Sequence, residues 1–440
     1  MTSTLDRFCA PIACVSGSDL SVPLVQGGFR AYANFDYAAS APALEQVTDR
    51  VTELLPYYAS VHRGAGYASR ISTECYESAR DSVARFVNGA DDQVVVFTRN
   101  TTDSLNLLAA CVPGDTVVLD IEHHANFLPW TRNGRRVVAS ADTIEETIRR
   151  IASELRAKPA ALLAITGASN VTGEILPLER LTTLAHRHGA RILVDAAQLA
   201  PHRRIDLRAS GIDYLAFSGH KLYAPFGAGV LVGRRDWLDA AEPYLAGGGA
   251  VREVTSTDVQ WALSPQRHEA GSPNVLGVAA LAAACDTLGL LDEATVVDHE
   301  RNLVERLRSG LETVAGVRFL NIWTDTADRV GIVAFTIDGF EPGHVAAYLS
   351  AEHGIGLRDG RFCAHPLLAR LGVDGALRAS IGLGTCADEV DRLIAAVGTL
   401  VERGARWNYG RVEGQWNPVP ETRERLAPGR VSGSPCAIGV

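Results

Sequence analysis

Short runs of apolar residues alternate with stretches of helical periodicity through much of the chain. The run Val94–Phe97 precedes a stretch from Thr101 to about Cys111 that predicts a helix, and later runs are spaced in the same way. Strand then helix, repeated, indicates parallel pairing, because a crossover helix returns the chain to the same end of the sheet. The runs predict about seven strands, which begin near Val94, Thr116, Val137, Ala161, Ile192, Tyr214 and Val230.

The helical stretch from Leu178 to His188 ends at Gly189, the residue type that most often closes a helix.

The pattern changes in the last third of the chain. Strands and helices there no longer alternate regularly, which is typical of an α+β arrangement. The predicted elements there are strands at 317–320, 331–337 and 377–382 and a helix at 342–353.

We therefore expect a doubly wound α/β domain followed by a smaller α+β domain. The predicted divisions are an N-terminal segment at 1–33, a large domain at 34–295, a small C-terminal domain at 296–403 and a tail at 404–440. The tail is rich in proline and glycine, which favours an extended or partly disordered chain. Trp407, Tyr409 and Trp416 predict that its first half docks on the rest of the protein.

Composition narrows the classes of function. The 440 residues are 47% hydrophobic and 21% charged, and the formal net charge of -9 argues against nucleic acid as a partner. No apolar run approaches the ~18 residues of a membrane span, and the N-terminus lacks the pattern of a secretory signal. The eight cysteines show no zinc or disulfide spacing. We expect a cytoplasmic protein that acts on a small metabolite and holds no metal.

An acid and an amine follow two of the predicted strands. The run Ile192–Val194 stops at Asp195, and Lys221 comes shortly after the run Tyr214–Phe217. A lysine at the mouth of a sheet can form a Schiff base with a carbonyl cofactor, and a carboxylate keeps a pyridine nitrogen protonated. Either residue alone would be an ordinary helix cap or surface lysine. Together, after strands, they predict a pyridoxal phosphate site.

These residues resemble a known family. The resemblance is carried by the motifs Asp195-Ala-Ala-Gln198 and Ser218-Gly-His220-Lys221. They are similar to the cofactor signature of the class V aminotransferases, closest to the group II cysteine desulfurases and selenocysteine lyases, over about residues 34–401. The resemblance implies fold type I of the pyridoxal phosphate-dependent transferases, with a mostly parallel seven-stranded sheet, and a homodimer with shared active sites.

The resemblance also implies roles for single residues around the cofactor. Lys221 would carry pyridoxal 5′-phosphate and move protons, Asp195 would face the ring nitrogen, and His123 would stack on the ring. Asn170 and Gln198 would contact the ring oxygen. The phosphate would be held by Thr101, Thr102, Ser218, His220 and, from a partner subunit, Ser272. From the residues alone, the two threonines also fit plain helix capping and Asn170 an Asx turn.

On the substrate side, the resemblance makes Arg378 the clamp for a substrate carboxylate, which Asn170 would also contact. Arg358 is a further expected substrate-binding residue, and His62 is placed near the substrate, often across the dimer interface. A polar loop with an ordinary histidine remains an alternative for His62. Cys363 matches the nucleophile of the group II desulfurases, whose thiolate attacks the sulfur of bound cysteine. An inert cysteine is the alternative for Cys363.

The loop around Cys363 departs from the family pattern. Relatives commonly have threonine where Asp359 stands and histidines where Arg361 and Phe362 stand. A second negative charge and a bulky ring are therefore introduced beside the nucleophile. Arg358, Arg361 and His365 are the nearby groups that would favour the thiolate.

The predicted reaction is removal of sulfur from L-cysteine, which gives alanine and an enzyme persulfide on Cys363. The expected partners are this amino acid, a second subunit and a sulfur-acceptor protein. Alternatives are a C–S or C–Se lyase, or an epimerase or aminotransferase that does not use Cys363. A further alternative, from another class, is an inactive interaction protein on the same fold.

Overall fold

A computed structural model describes residues 10–424, so the first part of the predicted N-terminal segment and the last part of the predicted tail lie outside the described residues. Within this range the chain forms eighteen strands and thirteen α-helices. No single helix of residues 10–424 has the length and apolar composition to cross a membrane, although one pair that meets at 91° passes that test together.

The strands are β1 (Ser21–Pro23), β2 (Phe29–Ala31), β3 (Ala33–Phe35), β4 (Gln93–Thr98), β5 (Thr116–Leu119), β6 (Arg135–Val138), β7 (Leu162–Thr166), β8 (Arg191–Asp195), β9 (Tyr214–Ser218), β10 (Gly229–Arg234), β11 (Val251–Val254), β12 (Val259–Trp261), β13 (Val317–Phe319), β14 (Ile332–Ile337), β15 (Ile355–Gly360), β16 (Ala376–Ser380), β17 (Tyr409–Val412) and β18 (Gln415–Pro418). The helices are α1 (Glu45–Leu54), α2 (Tyr67–Phe86), α3 (Thr101–Cys111), α4 (His124–Phe127), α5 (Ile144–Ala157), α6 (Leu178–Arg187), α7 (Leu207–Ser210), α8 (Arg235–Ala240), α9 (Val275–Leu290), α10 (Glu293–Glu312), α11 (Pro342–His353), α12 (His365–Arg370) and α13 (Ala387–Arg403).

The largest sheet consists of the seven predicted strands, in the order β4-β10-β9-β8-β7-β5-β6. Strands β6, β5, β7, β8 and β9 pair in parallel, whereas β10 is antiparallel to both of its neighbours. The exception has a simple cause, because residues 219–228 join β9 to β10 by turns without a crossover helix. The predicted α/β fold with a mostly parallel seven-stranded sheet is confirmed.

The central strands of this sheet place their last residues along one edge. All residues of β7 and β9 are buried, and Thr166 at the end of β7 lies opposite Asp195 at the end of β8. Helix α3 begins at the same edge, close against β10. A Cβ atom on Gly229 would lie 2.5 Å from the backbone of Asn100, so glycine permits this close approach.

A second sheet of five strands has the order β13-β14-β16-β15-β3. Strands β13, β14 and β16 and helix α11 were expected, but β15 and β3 were not. The predicted large domain begins at residue 34, but residues 34 and 35 belong to β3, which pairs in parallel with β15 in this second sheet. The other predicted domain boundaries remain predictions. Strand β15 leads directly into the loop of Cys363.

The first half of the predicted tail docks on α11, as its aromatic residues suggested. Residues 409–418 form the hairpin β17–β18, where a partly disordered chain was expected. Trp416 stacks on His344, with ring centres 4.9 Å apart. The buried carboxylate of Glu352 accepts hydrogen bonds from the Trp407 amide at 3.0 Å and the Tyr409 hydroxyl at 3.0 Å.

We expect Glu352→Ala to loosen this docked segment, because the change leaves half-buried N–H and O–H donors without their acceptor. The free energy of unfolding should fall by about 2 kcal/mol, measured by urea denaturation. Trypsin should cleave between residues 404 and 424 faster than in the parent protein. Glu402→Ala, at an exposed position of α13, is the control, and equal digestion of both variants would contradict the anchoring role.

Candidate active site

One cavity of about 420 Å³ opens at the carboxyl edge of the large sheet. Most of the residues predicted for the site line this cavity. They are Thr101, Thr102, His123, Asn170, Asp195, Gln198, His220, Lys221, Arg358, Cys363 and Arg378. The fold therefore collects side chains that lie far apart in the sequence into a single space.

Lys221 lies on the turn that follows β9. Gly219, two residues earlier, packs so closely that a Cβ atom there would lie 2.8 Å from the carbonyl oxygen of Ala224. Burial lowers the pKa of the Lys221 amine from its ordinary 10.5 to about 8, and the carboxylate of Asp195 partly opposes this shift. At neutral pH a useful fraction of this amine is therefore uncharged and nucleophilic.

Asp195 is buried at the end of β8, where the Ala197 amide donates a hydrogen bond of 3.0 Å to Oδ1. Burial raises the pKa of this carboxyl group above its usual value, while the backbone hydrogen bond and Lys221 lower it. A buried carboxylate with so little hydrogen bonding is suited to a cationic partner in the cavity.

His123 caps α4, and its Nδ1 accepts a hydrogen bond of 3.0 Å from the Ala125 amide. Nδ1 is thus an acceptor, so the ring proton is carried by Nε2. Burial first, and then the charge of Lys221, lower the pKa of His123 to about 4. The imidazole is therefore neutral at physiological pH.

The N-terminus of α3 forms one end of the cavity. Asn100 caps this helix by accepting from the Asp103 amide at 2.9 Å, and Thr101 and Thr102 follow it. Free N–H groups and the helix dipole favour an anion here. His220 and Ser40 also line the cavity, and His220 Nδ1 lies 2.8 Å from Ser40 Oγ.

Three buried side-chain oxygen atoms at or beside the cavity have no hydrogen-bond partner within residues 10–424. They are Thr101 Oγ1, Ser218 Oγ and Gln198 Oε1. Gln198 Nε2 donates to Ala38 at 2.8 Å, which keeps the amide in place. Buried polar atoms are normally paired, so these atoms indicate a site built for a polar ligand.

Arg378 enters the cavity from the second sheet. Its NH1 group donates to the Asn170 carbonyl oxygen at 2.8 Å and its NH2 group to Asp36 Oδ1 at 3.3 Å, while Nε finds no acceptor in the described part of the chain. Burial lowers the pKa of this guanidinium to about 10, and Asp36 opposes the shift. Arg358 lies directly opposite Arg378 in the pairing of β15 with β16.

Cys363 is exposed at the mouth of the cavity, between β15 and α12. Phe362 and Cys363 both have a φ of 51°, a left-handed conformation that costs about 1 kcal/mol or more for each non-glycine residue. Two hydrogen bonds to the backbone hold the loop in this conformation. Asn170 Nδ2 donates to the Phe362 carbonyl oxygen at 2.8 Å, and the His124 amide donates to the Cys363 carbonyl oxygen at 2.9 Å.

Three predicted residues do not line the cavity. Ser218 lies buried behind its wall at the end of β9. Ser272 is exposed, and its neighbours Gly271 and Pro273 line a separate cavity of about 200 Å³ together with His62. His62 Nε2 lies 3.0 Å from Glu77 Oε1.

Sequence reasoning missed several residues of the site. No role was predicted for Asp36, which accepts from Arg378, or for Ser40, which lies against His220. Glu122 is fully buried and accepts from the Thr166 amide at 3.1 Å and from Asn126 Nδ2 at 2.8 Å, which ties the ends of β5 and β7 together. Glu122 follows the predicted strand that begins near Thr116, as Asp195 follows the run Ile192–Val194. This position is the sequence signal that could have identified Glu122.

Comparison with known proteins agrees with this geometry. The family model described as "Aminotransferase class-V" matches residues 33–393. A cysteine desulfurase of Dickeya dadantii is 38% identical over 380 residues, which covers 83% of this chain and 91% of the relative. The crystal structure of the cysteine desulfurase CsdA from Escherichia coli superposes with a TM-score of 0.76 at 35% identity, covering 84% of this chain and 95% of that one.

The apo structure of a cysteine desulfurase from Thermococcus onnurineus NA1 is similar to the same extent, with a TM-score of 0.78 at 33% identity and the same coverage of both chains. The family match spans most of the chain and includes both sheets that form the cavity. The chain belongs to the class V aminotransferase family.

Proposed function

We propose that this protein is a pyridoxal 5′-phosphate-dependent cysteine desulfurase. The observation that carries the proposal is the single cavity that contains Lys221, Asp195, Arg378 and the exposed thiol of Cys363. An amine, an acid, a carboxylate-binding group and a nucleophile are the four functions that the reaction needs. The named activities of the relatives support the same reaction.

The donor set fits the cofactor. The N-terminus of α3, with the unpaired Thr101 Oγ1, is suited to the phosphate, and Asp195 is suited to a protonated ring nitrogen. His123 would lie against the ring, and Lys221 would hold the aldehyde carbon. When bound, the cofactor supplies a ring that accepts electrons from the substrate.

Arg378 would bind the substrate carboxylate, because it is buried, held in place by Asn170 and Asp36, and keeps an unpaired Nε–H. Lys221 would take and return the proton of the substrate α-carbon. With a pKa of about 8, its amine can change protonation state near neutral pH at little cost.

The thiolate of Cys363 would attack the sulfur of the bound cysteine. A sulfur–sulfur bond forms, the carbon–sulfur bond breaks, and the electron pair of that bond stays on the β-carbon, which takes up a proton to give alanine. The two sulfur atoms are oxidised and the carbon is reduced by the same two electrons, so the step needs no external oxidant. A sulfur-acceptor protein that collects the persulfide, and a cytoplasmic location, are part of this proposal.

A homodimer is also part of the proposal. Ser272 is exposed and His62 lines a separate cavity, so neither contributes to the cavity of its own chain, as expected of residues that serve a partner subunit. The same face exposes the aromatic rings of Tyr58 and Tyr67, which are 58% and 76% exposed. Burial of such rings is typical of subunit interfaces.

Cys363→Ser should lower alanine and sulfide formation from L-cysteine by a factor on the order of 10³, because the hydroxyl is a poor nucleophile towards sulfur. Binding of pyridoxal 5′-phosphate, followed by its absorbance, should be unchanged. Cys14→Ser, at another exposed cysteine, is the matched control. Full activity of the Cys363 variant would instead favour a lyase, epimerase or aminotransferase.

The lowered pKa of Lys221 predicts how attachment of the cofactor depends on pH. Since the uncharged amine is the nucleophile, the rate of borohydride-trapped attachment should rise with pH and level off above about pH 8, not near 10.5. Asp195→Asn should shift this profile to lower pH, because it removes the charge that favours the protonated amine. Lys221→Ala should trap no cofactor, and a profile that still rises at pH 10 would contradict the prediction.

A mixing experiment tests the shared site. Lys221→Ala and Ser272→Asp are each expected to be inactive or weak alone. If Ser272 serves the partner, one site in each mixed dimer is intact, and random reassociation should restore about one quarter of the parent activity. No recovery, with mixed dimers demonstrated by native mass spectrometry, would place Ser272 in its own chain's site.

A further inference from the structure

Phe362 is an apolar residue on a loop at the mouth of the active-site cavity, yet only 6% of it is exposed. Its ring lines the cavity, and the guanidinium carbon of Arg378 lies 5.3 Å from the ring centre. This separation is within the range of a cation–π contact, which is strongest where water is excluded. The ring therefore touches the group proposed to bind the substrate carboxylate.

Hydrogen bonds also hold the backbone of Phe362. Its carbonyl oxygen accepts from Asn170 Nδ2, and the next residue, Cys363, is held through its own carbonyl oxygen by the His124 amide. Two consecutive non-glycine residues at a φ of 51° persist only where surrounding contacts hold them. The buried ring of Phe362 is a further contact that holds the loop at the cavity.

These contacts link Arg378, Asn170 and Phe362 in a closed cycle. Arg378 donates to the Asn170 carbonyl oxygen, Asn170 donates to the Phe362 carbonyl oxygen, and the Phe362 side chain lies against Arg378. A shift of any one of them moves the other two. The Cys363 thiol is attached directly to this unit.

We propose that Phe362 is a positioning residue that sets the place of the nucleophile relative to the carboxylate-binding arginine. The inference rests on the proposed desulfurase function. Since the substrate is held at its carboxylate and attacked at its sulfur, the distance between these two groups determines whether the thiolate reaches its target. The desulfurases that this sequence resembles commonly have histidine here, so the aromatic hydrocarbon ring is a feature of this chain.

The test compares Phe362→Leu, which keeps apolar volume, with Phe362→Ala, which removes it. For Phe362→Leu we expect KM for L-cysteine to rise about tenfold while kcat changes little, because Arg378 loses the face of the ring. For Phe362→Ala we expect kcat to fall as well, since the loop is no longer anchored. The control is Phe319→Leu on β13, which removes a similar arginine–aromatic pair. The guanidinium carbon of Arg308 lies 4.3 Å from the Phe319 ring centre, and this change should alter neither kcat nor KM.

A second measurement is independent of turnover. Iodoacetamide should alkylate Cys363 at least about threefold faster in Phe362→Ala than in the parent protein without cofactor or substrate, because a loosened loop no longer holds the exposed thiol in one place at the cavity. Alkylation of Cys14, read from the same digest, should be equal in both proteins. If Phe362→Ala does not fold, the leucine variant provides the same comparison.

Unchanged KM and unchanged alkylation in both variants would overturn the positioning role while leaving the desulfurase function intact. An equal effect in Phe319→Leu would also overturn it, because the change would then reflect general destabilisation. If the parent protein does not act on cysteine at all, the proposed function fails, and the alkylation rates still decide whether Phe362 holds the loop.

Discussion

The site depends on keeping an amine and a carboxylate together in a cavity where neither is well hydrated. Burial acts against the charge of both Lys221 and Asp195, and each charge favours the other. The balance leaves the pKa of the amine lowered and that of the acid raised, which no surface pair would show. Both groups are therefore poised to interact with a ligand that is itself charged, and the remaining residues of the cavity are arranged around that pair.

The sheet provides this pair through one regular feature and one exception. Parallel pairing of β7, β8 and β9 brings three strand ends to the same edge, and Asp195 is the last residue of the middle one. The chain then returns through β10 without a crossover helix, so the turn after β9 stays at that edge and Lys221 lies on it. A helical connection would carry the chain to the opposite end of the sheet. The reversed strand β10 thus keeps the whole connection of residues 219–228 at that edge.

The sequence was most informative where local pattern decides the structure. Buried parallel strands are continuous apolar runs, so all seven were recognised, and the residues that follow them were found with them. Strand β15 was missed because its segment contains Arg358, Asp359 and two glycines, and its pairing with β3 depends on residues far away in the chain. The same limit applies to Asp36 and Phe362, whose partners are set by packing between the sheets.

Arg378 lies in the second sheet and Cys363 on the loop that follows β15 of that sheet, whereas Asp195 and Lys221 lie at the strand ends of the first. Their alignment therefore depends on contacts that cross between the sheets: Asn170 with Arg378, Asn170 with Phe362, and His124 with Cys363. Each crossing contact uses a backbone carbonyl oxygen, which has little freedom to move, instead of a pair of flexible side chains. Because the left-handed conformation of the loop is unfavourable by itself, it is these contacts that hold the thiol at the cavity. The position of Cys363 is thus a property of how the two sheets meet, and not of the loop sequence alone.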